Sequence, residues 1–366
     1  MAESTANLPK EAISALEQFP EFELSKFNDS GANGYVLIGR HKVLNKDVAI
    51  KIYFHDEHEI DQEPALISQI NHDNVLKVYD ARKVEKDCSY FLMPAASDGD
   101  LSNYLNKYHL SLPLAHKLFC QLLSGISALH GAPNLLVHRD VKPENLLIHD
   151  DKIVIADFGS VRRIDKKTQQ APASNHSILY RPPEAFGDDA YFDFSSDVYQ
   201  AGMIGFHLFG GKLSNDLLTH LTKQQRAKLL TIQGNYEQSK HVDSCIEARI
   251  RQARLIDWST MPFFVPGSVK RVLKAATAAV GKRHTNVSEV LAKLSGLRGK
   301  LPDWIVDERG YQLRDWKKND YLICENELSV MKRRTGAKDF RTDNSFHGKS
   351  LDEIHDELRN RIGLPD

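Results

Sequence analysis

The sequence predicts an α+β fold with a strand-rich N-terminal lobe, a larger helical lobe and a small C-terminal α+β extension. Residues 22–93 alternate apolar and polar side chains with period two and are rich in β-branched residues, which is typical of strands. Beyond residue 100 the apolar residues recur at helical spacing. After about residue 300, short strand patterns rich in aromatic residues return, and they predict the extension.

The N-terminal lobe is predicted to hold five strands and one helix. Residues 1–20 form a polar lead followed by a short amphipathic helix that ends near Pro20. Strand patterns cover residues 22–27, 35–40, 48–54, 75–84 and 90–93, and a helix is expected around residues 65–70. Residues 94–99 contain Pro, Ala, Ser and Gly and suit a hinge, which places the lobes at 21–93 and 100–299.

The helical lobe and the extension follow from the same patterns. Helices are predicted at residues 112–129, 195–209, 269–280 and 286–297. Within residues 300–366, we expect a hairpin that turns at Glu308-Arg309-Gly310, short strands at 321–324 and 328–331, and a helix at 350–362. The tryptophan and tyrosine side chains favour packing, so this region is either an appended module or a decoration of the helical lobe.

Composition limits the kinds of partner. The chain has 366 residues, of which 41% are hydrophobic and 27% charged, with a formal net charge of -1. This balance suits a soluble globular protein and predicts neither a nucleic-acid nor a membrane partner. Four scattered cysteines without a CxxC pair indicate reduced thiols. With no secretory signal pattern in the first 18 residues and no apolar run expected to span a bilayer, we expect a cytoplasmic protein.

The strongest chemical signal is a pair of polar motifs separated by an apolar strand. The first motif is His138-Arg139-Asp140-Val141-Lys142-Pro143-Glu144-Asn145, and the second is Asp157-Phe158-Gly159. With these motifs the sequence resembles the eukaryotic-type protein kinase family, serine/threonine branch, over about residues 22–296. The resemblance implies the bilobal protein-kinase fold, with ATP and Mg²⁺ as cofactors and proteins as substrates.

The resemblance also implies a role for each motif residue. Phosphoryl transfer depends on positioning and on neutralising phosphate charge, and Mg²⁺ prefers oxygen ligands. Asp157 and Asn145 would therefore hold magnesium, while Asp140 would orient the substrate hydroxyl and accept its proton. Lys142 would contact the transferred phosphate.

A second motif, Val48-Ala49-Ile50-Lys51, resembles the strand whose lysine contacts the ATP phosphates. A buried lysine needs a carboxylate partner to remain charged. Glu63 stands at the position of the family's partner glutamate, and Glu59 is the alternative. Because Pro64 is tolerated only in the first turn, the helix is expected to begin or bend near Glu63.

The phosphate-covering loop is less complete than the other motifs. Gly31, Gly34 and Val36 match the family pattern, but Asp29 stands in place of its first glycine and would place negative charge near phosphate. Taken alone, this stretch is equally compatible with a simple hairpin turn.

The adenine pocket is expected between the lobes. The resemblance places Ala49, Met93 and Ala96 around the base. Asp98 or Asp100 would meet the ribose, although an N-terminal helix cap is the more natural role for Asp100.

The segment from Ser160 to Glu184 corresponds to the family's activation segment. Arg139 beside Asp140 suggests regulation by phosphorylation, because a guanidinium suits phosphate oxygens. Thr168 and Ser174 are the candidate switches, and Ser177 is expected to shape the substrate pocket; all three are equally compatible with ordinary loop hydroxyls. Two structural roles are also implied: Glu184 pairs with Arg283, and Asp197 binds the catalytic-loop backbone.

The function that follows is an active protein kinase that also phosphorylates itself, which implies possible self-association. Two alternatives remain open. A non-catalytic scaffold is favoured by Asp29, Pro64 and Pro94, whereas the retained magnesium ligands argue against it. A small-molecule kinase would not be expected to carry Lys142 or the Glu184 and Arg283 pair.

Overall fold

The computed structural model describes residues 8–31, 34–54, 63–85, 88–173 and 177–362. The described chain has a small lobe formed by one antiparallel sheet and a larger helical lobe, and the C-terminal residues add a second five-stranded sheet. The predicted α+β architecture with two lobes is confirmed.

The N-terminal lobe is a five-stranded antiparallel sheet flanked by two short helices. Its elements are α1 (Lys10–Glu17), β1 (Phe22–Gly31), β2 (Gly34–His41), β3 (Lys46–Phe54), α2 (Glu63–Ser68), β4 (Asp80–Glu85) and β5 (Cys88–Pro94). The strand order is β1-β2-β3-β5-β4, so β3 lies at the centre. Helix α1 buries Ala12 and Ala15 in the same cluster as Val48 and Ile50 of β3, which covers one face of the sheet.

One strand prediction in this lobe is wrong in its first half. Residues 75–84 were expected to form one strand, but β4 begins only at Asp80. Val75 instead forms an isolated parallel bridge with Ile155 of the helical lobe. The apolar run therefore reflects burial against the other lobe, which periodicity cannot distinguish from a buried strand.

The helical lobe is built around two buried helices. Its helices are α3 (Leu101–Lys107), α4 (Leu112–His130), α5 (Phe194–Leu208), α6 (Lys223–Leu229), α7 (Asn235–Arg251), α8 (Gly267–Ala276) and α9 (Val287–Ser295). Its short strands are β6 (Leu136–Val137), β7 (Leu146–His149), β8 (Lys152–Ile155), β9 (Arg162–Arg163), β10 (Ala171–Pro172) and β11 (Tyr191–Phe192). By length and composition α4 could cross a membrane, but it is the core helix of this lobe, with eleven buried residues.

The C-terminal region packs on the helical lobe. It comprises β12 (Asp303–Asp307), β13 (Gly310–Trp316), β14 (Asn319–Cys324), β15 (Ser329–Arg334), β16 (Arg341–Thr342) and α10 (Leu351–Ile362). The five strands pair in chain order, and the predicted hairpin and final helix are present. Trp304 of β12 is fully buried and stacks on Phe264, with ring centroids 5.2 Å apart. Arg359 of α10 donates to the carbonyl oxygen of Phe263 at 2.8 Å, so the extension shares its core with the helical lobe.

Candidate active site

Two residues of the first motif, Lys142 and Asn145, converge on the carboxylate of a third, Asp140. Asp140 follows β6 in a loop and is only 5% exposed. Its Oδ2 accepts hydrogen bonds from Lys142 Nζ at 2.8 Å and from Asn145 Nδ2 at 2.9 Å. Asn145 Nδ2 also donates to the Asp140 carbonyl oxygen at 2.8 Å. The loop thus fixes a carboxylate beside an ammonium group, so one group can accept a proton and the other can neutralise negative charge.

The loop that carries Asp140, called the catalytic loop below, is held in place by Asp197 in the first turn of α5. This fully buried carboxylate accepts the backbone N–H groups of His138 at 2.8 Å and of Arg139 at 3.0 Å. His130 Nε2 lies 2.9 Å from its Oδ2. Burial acts to raise the pKa of Asp197. The hydrogen bonds and the imidazole rings of His130 and His138 outweigh burial and hold the pKa below its usual value. The predicted structural role of Asp197 is confirmed.

Sequence reasoning missed a second anchor, Gln200. Its Oε1 accepts the N–H of Val141 at 3.0 Å, and its Nε2 donates to the carbonyl oxygens of Arg139 at 3.2 Å and Tyr180 at 3.3 Å. Gln200 therefore joins the catalytic loop to the activation segment. The sequence did contain a signal for this role. Gln200 lies three residues after Asp197 on the apolar, buried side of the predicted helix, and a buried side-chain amide is normally hydrogen-bonded.

Across the cleft, Lys51 of β3 meets Asp157, and Lys51 Nζ lies 3.2 Å from Asp157 Oδ1. Burial acts to raise the pKa of the Asp157 carboxyl, but the ammonium of Lys51 outweighs it and the pKa lies below its usual value. Asp157 also has a φ of 60°, an uncommon conformation that is concentrated at functional sites. Helix α2 begins at Glu63, as predicted, but the Glu63 side chain and residue Glu59 lie outside what the structure describes.

Asp157 and Asn145 suit a hard divalent cation. Asn145 uses its Nδ2 for Asp140, and within the described residues its Oδ1 accepts no hydrogen bond. The lowered pKa of Asp157 keeps its carboxylate ionised at neutral pH. Oxygen donors of these two types are those that Mg²⁺ prefers. Among the described residues, no cluster of three or more His, Cys, Asp or Glu side chains could hold a metal ion.

The predicted adenine residues lie together at the cleft. Ala49 and Met93 are buried and directly paired across β3 and β5, and Val36 of β2 is partly buried against the same core. In the hinge, Ala95 N–H donates to the Asp47 carbonyl oxygen at 3.2 Å, whereas within the described chain Ala96 N–H has no protein acceptor.

Asp100 acts as a helix cap. Its Oδ1 accepts the backbone N–H of Asn103 at 2.8 Å and its Oδ2 accepts the side-chain amide of Asn103 at 2.6 Å. The capping role predicted for Asp100 is confirmed. With both oxygens engaged, a ribose contact would have to compete with the cap.

Gly34 is required by strand packing. A Cβ atom at this position would lie 2.0 Å from the carbonyl oxygen of Ile52, which is far inside van der Waals contact. Gly31 pairs with Gly34 across β1 and β2, and Ala32 and Asn33 lie outside the described residues. Glycine at position 34 therefore has a structural reason that is independent of phosphate, and the hairpin interpretation stays open.

Arg139 is occupied by backbone carbonyl groups of the activation segment. Its Nε donates to the Ser160 carbonyl oxygen at 2.6 Å, and its guanidinium also donates to that of Pro172. Burial and the nearby Arg162 lower the pKa of Arg139 to about 10. Thr168 is exposed and donates to Asp165 Oδ1 at 3.2 Å.

The other two hydroxyls expected in this segment are less fully described. Ser177 is partly buried, and Ser174 lies outside the described residues. The Arg139 guanidinium already donates to backbone carbonyl groups, so a phosphate on Thr168 or Ser174 would have to compete with them. Control by phosphorylation of this segment therefore stays a prediction.

The activation segment ends in a buried ion pair. Arg283 donates to Glu184 through two parallel bonds, from Nη1 to Oε1 at 2.8 Å and from Nη2 to Oε2 at 3.1 Å. The Ser196 hydroxyl donates to the same Oε1 at 2.7 Å, and Arg283 also donates to the Ser195 carbonyl oxygen at 2.9 Å. The predicted Glu184 and Arg283 pair is confirmed.

Residues 28–262 match the family model described as protein kinase domain. The CBL-interacting serine/threonine-protein kinase 2 of Arabidopsis thaliana is 29% identical over 52% of this chain and 44% of its own length. The serine/threonine-protein kinase SIK1 of Rattus norvegicus is 29% identical over 64% of this chain and 30% of its own. The serine/threonine-protein kinase GIN4 of Saccharomyces cerevisiae is 36% identical over 43% of this chain and 14% of its own. The matched region spans less than half the length of each of these relatives.

Proposed function

The chain belongs to the protein kinase family, and we propose on that premise that it transfers the γ-phosphoryl group of ATP to serine or threonine hydroxyls of proteins, its own included. The observation that carries the proposal is the convergence of Lys142 and Asn145 on the buried Asp140 carboxylate. The Lys51 and Asp157 ion pair, which joins the two lobes across the cleft, completes the arrangement.

The proposed reaction is a direct displacement. The substrate hydroxyl oxygen forms a bond to the γ-phosphorus while the bond from that phosphorus to the bridging oxygen breaks, and ADP leaves with the bonding electron pair. Asp140 holds the hydroxyl in line and takes its proton. Lys142 supplies positive charge beside the transferred group, which offsets the negative charge of Asp140 and phosphate.

The remaining residues position ATP. Magnesium, when bound, neutralises phosphate charge, and Asp157 and Asn145 are the residues that would hold it. Lys51 contributes an ammonium on the rigid central strand β3 for the phosphates, and we propose Glu63 as its further carboxylate partner. Ala49, Met93 and Val36 provide an apolar slot that shields adenine from water, while Ala96 N–H orients it.

Substrate and regulation are proposed at a coarser level. The relatives are named as serine/threonine-protein kinases, which supports protein hydroxyls as acceptors. Phosphorylation of one chain by another would require transient self-association. Thr168 and Ser174 are the proposed modification sites, and a cytoplasmic location is proposed from the sequence alone.

The test is to incubate the purified full chain with Mg-ATP and to map phosphorylated residues by mass spectrometry. Asp140→Asn and Asp157→Asn remove the proposed base and the proposed magnesium ligand. Asp339→Asn, a change at an exposed aspartate in the loop between β15 and β16, is the matched control.

We expect phosphate on serine or threonine in the parent and in Asp339→Asn only. A folded parent that incorporates none, or equal incorporation in Asp140→Asn, would overturn the proposal. The first of these results would favour the scaffold alternative.

A further inference from the structure

A cavity of about 520 Å³ lies outside the active site, between the loop joining α3 to α4, the end of α5 and the C-terminal sheet. Its walls are mixed. The apolar part includes Leu110, Leu112, Phe209, Leu213, Phe264 and Val306, and the polar part includes Asn106, His109 and Ser214. Val306 belongs to β12, so the C-terminal extension completes the cavity. Its volume lies in the range of small-molecule sites, which are mostly apolar with a few polar groups.

His207 connects this cavity to the activation segment. Among residues 196–208 of α5, His207 alone is not fully buried, and it lines the cavity. On its other side, its Nε2 lies 3.0 Å from the Tyr180 hydroxyl. Burial lowers the pKa of His207 to about 4, so the ring is neutral at pH 7 and this contact is a hydrogen bond between neutral groups.

The contact continues to the catalytic loop. The carbonyl oxygen of Tyr180 accepts a hydrogen bond from Gln200, whose Oε1 holds the N–H of Val141. A molecule that packs against the His207 ring therefore contacts a residue that leads to the loop carrying Asp140: His207 bonds the hydroxyl of Tyr180, and the backbone carbonyl of the same tyrosine bonds Gln200. A displacement of Tyr180 would alter the hydrogen bonds by which Gln200 holds the backbone of Arg139 and Val141.

The charges around the cavity select the ligand class. No aspartate or glutamate lines it. Lys212 lies at its exposed rim, and within the described residues its ammonium forms no ion pair. A ligand with one carboxylate would complement this charge. A hydrocarbon chain on the same ligand would cover the apolar part of the wall, which stabilises the complex by roughly 25 cal/mol per Å² of apolar surface buried.

We propose that this cavity is a regulatory binding site for a small amphipathic monocarboxylate of the fatty-acid class. The hydrocarbon chain lies among Leu110, Leu213 and Val306, which are partly exposed, and the carboxylate pairs with Lys212. Occupancy is transmitted through His207 to Tyr180. Binding itself is independent of the proposed kinase activity, whereas an effect on catalysis rests on it.

Binding is tested on the full chain by isothermal titration with sodium decanoate, below the concentration at which it forms micelles. Leu213→Trp fills the cavity and Lys212→Ala removes the charge, while Lys223→Ala, an exposed lysine that does not line the cavity, is the control. We expect one decanoate per parent chain, affinity lowered more than tenfold in Leu213→Trp and severalfold in Lys212→Ala, and no change in the control.

Two further arms separate the cavity from unspecific adsorption. 1-Decanol has the same chain without the charge, and we expect Lys212→Ala to lose the preference of the parent for decanoate over decanol. If Leu213→Trp fails to fold, Leu110→Trp fills the cavity from the loop between α3 and α4. Absence of saturable binding to the parent, or unchanged affinity in folded cavity-filling variants, would overturn the site.

The path to the active site is tested by hydrogen exchange, which needs no catalysis. We expect decanoate to slow amide exchange in residues 178–181 and 138–142 of the parent. Tyr180→Phe keeps the ring and removes the hydroxyl, so it should bind decanoate as the parent does while losing the change in residues 138–142. Decanoate that binds without altering exchange in either segment of the parent would refute the coupling. Because neither readout involves ATP, both stand apart from failure of the kinase proposal.

Discussion

The Glu184 and Arg283 pair offers a sharp test of what holds the helical lobe together. The Glu184→Gln substitution keeps the side-chain shape but removes the charge. Its Oε1 can still accept from Ser196 and Arg283 Nη1, whereas the new amide group would place a donor 3.1 Å from Arg283 Nη2, another donor. One of the two parallel hydrogen bonds is lost, and the buried Arg283 guanidinium loses the negative charge of Glu184.

The expected cost follows from burial. The side chains of Arg283 and Glu184 are only 1% and 4% exposed, so water cannot replace the lost partner. Removal of one member of a buried ion pair typically costs about 3–5 kcal/mol. Arg283 retains the carbonyl oxygens of Ser195 and Ala278, which favours the lower end, about 3 kcal/mol of unfolding free energy.

The assay is urea unfolding of the full chain at pH 7, followed by far-UV circular dichroism. The control is Glu247→Gln, which removes an i,i+4 pair with Arg251 on the surface of α7, where the two side chains are 34% and 46% exposed. That change should cost below about 0.5 kcal/mol. If Glu184→Gln costs no more than Glu247→Gln, the buried pair does not contribute to stability as argued.

Three other predictions concern separate parts of the chain. Because the pKa of His207 is lowered to about 4 in the folded chain, the unfolded chain binds a proton first as the pH falls. The free energy of unfolding should therefore drop between about pH 6.5 and 4, by up to about 3 kcal/mol. His207→Gln should flatten this pH dependence, as measured by urea unfolding at each pH. Gly34→Ala should destabilise by about 1–3 kcal/mol through its clash with the Ile52 carbonyl, whereas Gly296→Ala, with nothing within 4 Å, should be nearly neutral; equal melting temperatures would contradict this. Trp304→Ala should lower the free energy of unfolding by about 3–5 kcal/mol and lower the melting temperature of the whole helical lobe, because the two regions share a core. A separate calorimetric transition of the C-terminal sheet would contradict this and would show that the extension is an independent unit.

Much of the site could be predicted because its motifs are local in sequence. The run from His138 to Asn145 brings its own residues together, and the anchors Asp197, Glu184 and Arg283 stand where the family motifs place them. Strands and helices with clear periodicity, such as α4 and the β12–β13 hairpin, were found close to their observed limits.

The parts that could not be predicted depend on contacts between distant segments. Gln200 belongs to no motif, and its role exists only because α5 lies beneath the catalytic loop. The apolar residues around Val75 bury against β8 of the other lobe, which a strand pattern imitates. The requirement for glycine at position 34 comes from the neighbouring strand β3, so a loop motif alone could not separate packing from phosphate binding.

The shared core of the C-terminal sheet and the helical lobe has a consequence for biosynthesis. Synthesis proceeds from the N-terminus, so Phe263 and Phe264 leave the ribosome before Trp304 of β12 and Arg359 of α10, which later cover them. During that interval the nascent lobe carries an uncovered aromatic surface, the kind of surface that chaperones recognise. We therefore expect the helical lobe to reach its final packing only after the last helix has been translated.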